Sequence, residues 1–129
     1  IIDFQDAVRG PVTYDLVSLY KDCYHRFDRG WVEKVVAGFH FSLIEKGLLR
    51  ADQPVLRWFD LMGAQRHLKC AGIFSRLNLR DGKSSYLADI PLVVDYLIEV
   101  ADLYEDLGEF GCWLKEDVQP RLIASEFMR

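Results

Sequence analysis

Along most of this chain apolar residues recur every three or four positions, the spacing of helices that each bury one face. The pattern first shows over residues 13–24, where Leu16, Leu19, Tyr20 and Cys23 share a side and Thr13 stands where an N-cap is expected. It resumes after Asp28, a second cap, with a stripe of Val32, Val35, Val36, Phe39 and Leu43 that Gly47 brings to a stop. Residues 52–79 predict the longest helix. Phe59, Met62, Cys70, Ile73, Phe74 and Leu77 lie on one of its faces, and Gly63 and Gly72 permit close neighbours. Arg80-Asp81-Gly82-Lys83 ends it with turn chemistry. Asp89 predicts the cap of a fourth helix, with Pro91 tolerated in its first turn and Ile90, Val94, Leu97, Ala101 and Tyr104 facing inward. Gly108 breaks that pattern, and a last helix is expected over residues 109–127, kinked or interrupted at Pro120.

Residues 1–4 read differently, as the end of a short buried strand, followed by a loop over residues 5–12 that holds the turn signal Gly10-Pro11. A single strand leaves its backbone donors and acceptors unpaired. Its partner is therefore expected outside this chain, as in a piece of a longer protein, and the apolar opening Ile1-Ile2 without a Met agrees. No repeat or linker divides residues 1–129. The expected fold is mainly α, about five helices in one unit with a strand remnant in front.

Composition narrows the function classes. Of 129 residues half are hydrophobic and 28% are charged, which is globular, and the net charge of −4 offers no excess of cations for nucleic acid. No run of eighteen apolar residues suggests a membrane span, and no signal-like segment opens the chain. Cys23, Cys70 and Cys112 are odd in number and widely spaced, as expected of reduced thiols in a cytoplasmic protein. Cys23 and His25 lack the second ligand pair that a zinc site needs.

Candidate chemistry concentrates at the N-terminus. Asp3 ends an apolar strand, where a bare carboxylate is costly to bury. Asp15 falls in the first turn of a helix, where an acidic side chain is favoured. A strand–loop–helix junction thus gathers two carboxylates, an oxygen-rich setting that suits a hard cation. On spacing alone the plainer reading is the better one: Asp3 forms a turn and Asp15 stabilises a helix start.

The segment Ile2-Asp3-Phe4, a short loop, Gly10-Pro11, then Tyr14-Asp15-Leu16 resembles the metal-binding segment of the aminoglycoside phosphotransferase-like family, which includes choline kinases and related small-molecule kinases. The resemblance implies that Asp3 holds magnesium on the phosphates of ATP and that Asp15 supports the catalytic loop by hydrogen bonding. Further matches run through Asp22-Cys23-Tyr24, residues 57–63, 65–69, 72–74, Arg76-Leu77, 80–83 and 86–91. These resemble one bacterial branch, the anomeric kinases for N-acetylmuramate and N-acetylglucosamine, so an amino-sugar acceptor is implied. The branch implies a C-terminal helical part of the kinase C-lobe. It also implies a nucleotide lobe and a His-x-Asp-x-x-x-x-Asn loop upstream of Asp3, neither of which this chain carries, and His25, His40 and His67 sit in the wrong context to replace that loop. The chain alone is therefore expected to be inactive, to need the missing N-terminal part as a partner, and to associate with itself through surface that part would cover. A rival reading is a non-catalytic helical binding or regulatory module, or a degenerate kinase.

Other residues carry weaker signals. Arg66, Lys69, Arg76 and Arg80 fall within an arc of about 80° on the long helix. They suit either a strip that neutralises a substrate carboxylate or, preferably, a solvated edge with local salt bridges. Trp58 is the best of three tryptophans for stacking on a sugar, although core packing is the plainer role for each. His67 lies off the main apolar arc and either bonds within the bundle, the favoured reading, or faces a substrate cleft. Trp58, Arg66, His67 and Lys69 are thus the candidate acceptor-binding residues. The acidic positions Asp102, Glu105, Asp106 and Glu109 suit a solvated face.

Overall fold

A computed structural model describes residues 9–125 of the chain. The expected strand at residues 1–4 and its carboxylate Asp3 lie outside those residues. Among the described residues every regular element is helical: α1 (Tyr14–Tyr20), α2 (Arg29–Glu45), α3 (Val55–Asp81), α4 (Ile90–Leu103), α5 (Gly108–Trp113) and α6 (Gln119–Ala124). A π-helical turn, Leu114–Val118, joins α5 to α6, so the two form one interrupted helix and the mainly α reading with five helical units holds.

Several predicted ends are where local chemistry puts them. Asp28 has extended backbone and its carboxylate accepts from the Trp31 N–H at 2.8 Å, capping α2. Gly47 (φ 67°) and Gly82 (φ 65°) take the left-handed conformation that stops α2 and α3. Beyond Gly82, the Lys83 N–H returns to the Leu77 carbonyl at 3.1 Å.

Other ends differ from expectation. α3 starts at Val55 rather than near residue 52, because Pro54 disfavours helical backbone at Gln53. Asp89 closes a 3-10 turn (Ser84–Asp89) and already has helical backbone, so its side chain caps nothing. Thr13 is also helical in backbone and makes no capping bond; a turn from the Pro11 carbonyl to the Tyr14 N–H at 3.0 Å opens α1 instead. In α1 Leu16 and Tyr20 pack against the core as expected, but Val17 is the buried residue and Leu19 is left 63% exposed. The π turn precedes Pro120, whose ring removes the donor that the carbonyl one turn earlier would use.

Two apolar clusters hold the fold. In one, Val17 of α1 meets Val32 and Val36 of α2 and Val55 and Phe59 of α3. In the other, Ala64 and Phe74 of α3 meet Leu87, then Ile90, Val93, Val94, Leu97 and Val100 of α4, and Leu114 of the π turn. α3 runs through both, and its 27 residues make a shaft of about 40 Å. No helix among the described residues is long and apolar enough to cross a membrane.

Candidate functional site

Between the two clusters sits a group of charges that the sequence reading did not single out. Asp60 of α3 is fully buried. Arg29, the first residue of α2, donates to it twice, from Nη1 to Oδ1 at 2.6 Å and from Nη2 to Oδ2 at 2.8 Å. The Tyr104 hydroxyl, at the end of α4, donates to Oδ2 at 2.8 Å. The Lys21 ammonium, at the end of α1, lies 3.2 Å from Oδ1, without the alignment of a hydrogen bond. One carboxylate thus ties the ends of α1, α2 and α4 to the middle of α3.

The balance of charge follows from these contacts. Burial alone would raise the Asp60 pKa, but the Arg29 hydrogen bonds, the Lys21 charge and the Tyr104 hydroxyl outweigh it and hold the carboxyl below its ordinary value. Lys21 goes the other way: burial lowers its pKa and Asp60 only partly restores it. Its ammonium also lies 5.7 Å from the Phe59 ring centroid and 5.4 Å from that of Tyr96. Around the cluster, Arg29 Nε donates to Glu33 at 2.7 Å, and Arg26 pairs with Glu99. Arg57 covers Tyr104 with its guanidinium 4.6 Å from the ring centroid while pairing with Asp106 at 2.7 Å.

His67 belongs to this layer. Its ring is 1% exposed, stacks on Tyr96 at 4.6 Å, and donates from Nε2 to the Lys21 carbonyl at 3.1 Å. That bond sets the neutral tautomer and leaves Nδ1 buried without a partner among the described residues. Burial, then the positive charge of Lys21, lowers its pKa to about 4. Among the described residues His67 therefore bonds within the bundle, the favoured of its two expected roles, and its ring opens on no cleft.

The other sequence candidates are more open. Asp15 is exposed in the first turn of α1, and its carbonyl accepts from the Ser18 hydroxyl at 2.7 Å. Beside it, Tyr14 receives the Arg66 guanidinium 4.8 Å from its ring centroid. α1 is therefore fixed to α3 at both ends, by Tyr14 on Arg66 and by Lys21 on Asp60 and His67. Arg66 and Lys69 share one side of α3, and Lys69 is exposed. Trp58 is half-buried against the first apolar cluster. Of the remaining basic strip, Arg80 pairs with its neighbour Asp81 at 2.7 Å and Arg76 is exposed. Gly63 lies against the Lys21 side chain, whereas Gly72, expected to admit a neighbour, faces open space.

A cleft of about 300 Å³ opens between α4 and the α5–α6 unit, where Leu87, Ile90, Trp113, Val118 and Arg121 line it. Asp15, Trp58, Arg66, His67 and Lys69 do not line it, whereas Trp113, one of the three tryptophans weighed for stacking, does. Among the described residues no three His, Cys, Asp or Glu side chains are grouped to hold a metal ion. The one metal ligand expected from the sequence, Asp3, is outside them.

Comparison with known proteins places this geometry in context. The model of the phosphotransferase enzyme family matches residues 1–59. A protein of Neisseria meningitidis named N-acetylmuramate/N-acetylglucosamine kinase is 42% identical over 129 residues, which cover 98% of this chain and 39% of that protein. Proteins of the same name from Pseudomonas putida and Pseudomonas aeruginosa are 42% and 40% identical, each match covering 86% of this chain and 33% of the relative. The chain therefore spans between a third and two fifths of the length of these relatives. No solved structure matches it.

Proposed function

We propose that this chain is the C-terminal helical part of an ATP-dependent phosphotransferase whose acceptor is an N-acetylated amino sugar. The observation that carries the reading is its identity of 42% over 98% of the chain to an N-acetylmuramate/N-acetylglucosamine kinase. The segment Ile2-Asp3-Phe4 through Tyr14-Asp15-Leu16 lies inside the part that the phosphotransferase family model matches.

In this reading Asp3 would hold magnesium, and the ion would supply charge neutralisation for the phosphoryl group. Asp15 supports the catalytic loop, and the exposed first turn of α1 leaves its carboxylate free to meet that loop. The described residues supply rigidity. α1 is short, and its attachment to α3 through Arg66, Asp60 and His67 fixes where Asp15 stands. Arg66 and Lys69 provide positive charge near that point, suited to an acceptor carboxylate, and Trp58 provides an aromatic face at the margin of the first cluster. The general base, the nucleotide pocket and the remaining metal ligand belong to the part of the protein upstream of Asp3, and the site of action is the cytoplasm. Catalysis is then a matter of positioning and charge neutralisation.

The test uses the whole protein that carries this chain. It is offered ATP and magnesium with N-acetylmuramate, N-acetylglucosamine, an aminoglycoside or choline, beside an Asp3→Asn variant. Transfer to the amino sugars, lost in the variant, is the expected result. Transfer only to another acceptor overturns the amino-sugar assignment, activity unchanged in Asp3→Asn overturns the metal role, and no transfer to any acceptor favours a non-catalytic module.

A further inference from the structure

The segment that follows α1 lies along one face of α3. Positions 63, 67, 70 and 74 of that helix are spaced by four, three and four residues and so stack on a single side. At the first, a Cβ on Gly63 would stand 3.2 Å from the Lys21 side chain. At the second, His67 Nε2 reaches the Lys21 carbonyl at 3.1 Å. At the last, the Phe74 ring lies 6.0 Å from that of Tyr24. The third position is Cys70, and the residue between Lys21 and Tyr24 that meets it is Cys23. Both cysteines are half-buried and pack against the same apolar cluster, and Cys70 lies close enough to Cys23 to disfavour its thiolate. Residues 47 apart in sequence are thus brought side by side by contacts on both sides of them, while Cys112 stands exposed.

We propose that Cys23 and Cys70 are a redox modification site, at which a low-molecular-weight disulfide converts the thiol pair to an intramolecular disulfide. One protein thiolate attacks a sulfur of the small disulfide, forming a mixed disulfide and releasing one small thiolate. The second protein thiol, as its thiolate, attacks the protein sulfur of that bond and expels the other small thiol. The two cysteines lose two electrons and two protons, and the small disulfide gains both. Burial, followed by the neighbouring Cys70, pushes the Cys23 thiol up to about 11, so exchange at Cys23 quickens as the pH rises. The product ties the segment after α1 to the middle of α3. This inference does not depend on the kinase reading.

The experiment uses a Cys112→Ser variant, which removes the exposed competing thiol at a position whose side chain supports no core. The protein is incubated with oxidised glutathione, its remaining thiols are alkylated under native and then denaturing conditions, and peptides are mapped by mass without reduction. The expected result is a species lighter by two hydrogens, a linked peptide pair containing Cys23 and Cys70, a melting temperature higher by about 5 °C, and full reversal by a thiol reductant. A second variant, Cys23→Ser with Cys112→Ser, is expected to stop at one glutathione on Cys70. Two alkylatable thiols after oxidation, mixed disulfides that persist on both cysteines, or linkage only between molecules would each overturn the proposal.

Discussion

Arg29 and Asp60 meet as two planar groups, the guanidinium fork donating to both carboxylate oxygens at 2.6 and 2.8 Å across the boundary between the two apolar clusters. Because Asp60 is fully buried, the pair cannot be replaced by water when one member is removed. Asp60→Ala is expected to lower stability by about 3–5 kcal/mol, the cost of leaving buried cations without their counter-ion. Lys21→Met is expected to cost well under half of that, since the Lys21 ammonium makes no aligned hydrogen bond and burial already opposes its charge. Urea midpoints at unchanged slope measure both; equal losses would contradict the ranking.

Acid should weaken the protein in two steps of the same sign. The folded state holds His67 at about 4 against an ordinary value of 6.5, so between those values the unfolded chain binds a proton that the folded chain refuses. Stability from this group is complete above pH 6.5 and is lost as the pH falls toward 4, by about 3 kcal/mol in all. Asp60, held below its ordinary value, adds a further loss as the pH drops through its folded pKa. His67→Phe, which keeps a ring on Tyr96, is expected to flatten the slope of unfolding free energy between pH 7 and 5. Parallel slopes for the variant and the parent would remove His67 from the account.

The same substitution at two glycines of α3 should have opposite signs. An added methyl at Gly63 meets Lys21 at 3.2 Å, and that side chain is held by Asp60, so Gly63→Ala is expected to destabilise by about 1 kcal/mol. Gly72 faces open space in a helix interior, where alanine is favoured over glycine by about 0.5–1 kcal/mol. Gly72→Ala should therefore raise the melting temperature and Gly63→Ala should lower it.

Capping gives a further contrast. Asp28→Ala removes the acceptor of the Trp31 N–H and is expected to cost about 1 kcal/mol. Asp89→Ala removes no cap and is expected to change stability by less than about 0.5 kcal/mol. Chemical denaturation of the two variants decides between structure and sequence pattern, since the sequence alone presents both aspartates as caps.

That contrast shows what a single sequence can and cannot specify here. Periodicity located the helical units because the apolar stripes of α2, α3 and α4 are long, and Gly47 and Gly82 marked ends because their backbone needs a positive φ. In α1 periodicity placed Leu16 and Tyr20 against the first cluster, but seven residues are too few to fix the whole inward side: Leu19 is exposed, and Val17, outside the expected stripe, is buried. Asp60 left a faint local sign, a carboxylate directly after the buried Phe59. Its partners stand 31, 39 and 44 residues away on other helices, and no spacing rule links them. His67 was legible as a residue of uncertain facing, and only the stack on Tyr96 resolves it. The motif around Asp3 was legible by resemblance to a family rather than by physical necessity, because two carboxylates near a turn suit many folds.

α3 runs without interruption through both apolar clusters, and this fixes their relative phase. A residue inserted between Asp60 and Phe74 would turn everything beyond it by about 100° and carry it about 1.5 Å along the axis. Phe74 would then point away from α4 while Asp60 still faced Arg29. Variation in chain length is compatible with this architecture only where no shaft is crossed, as in residues 46–54, 82–83 and around 104. The helix acts as a ruler, and the spacing between its buried charge and its aromatic end is a quantity that sequence change must conserve.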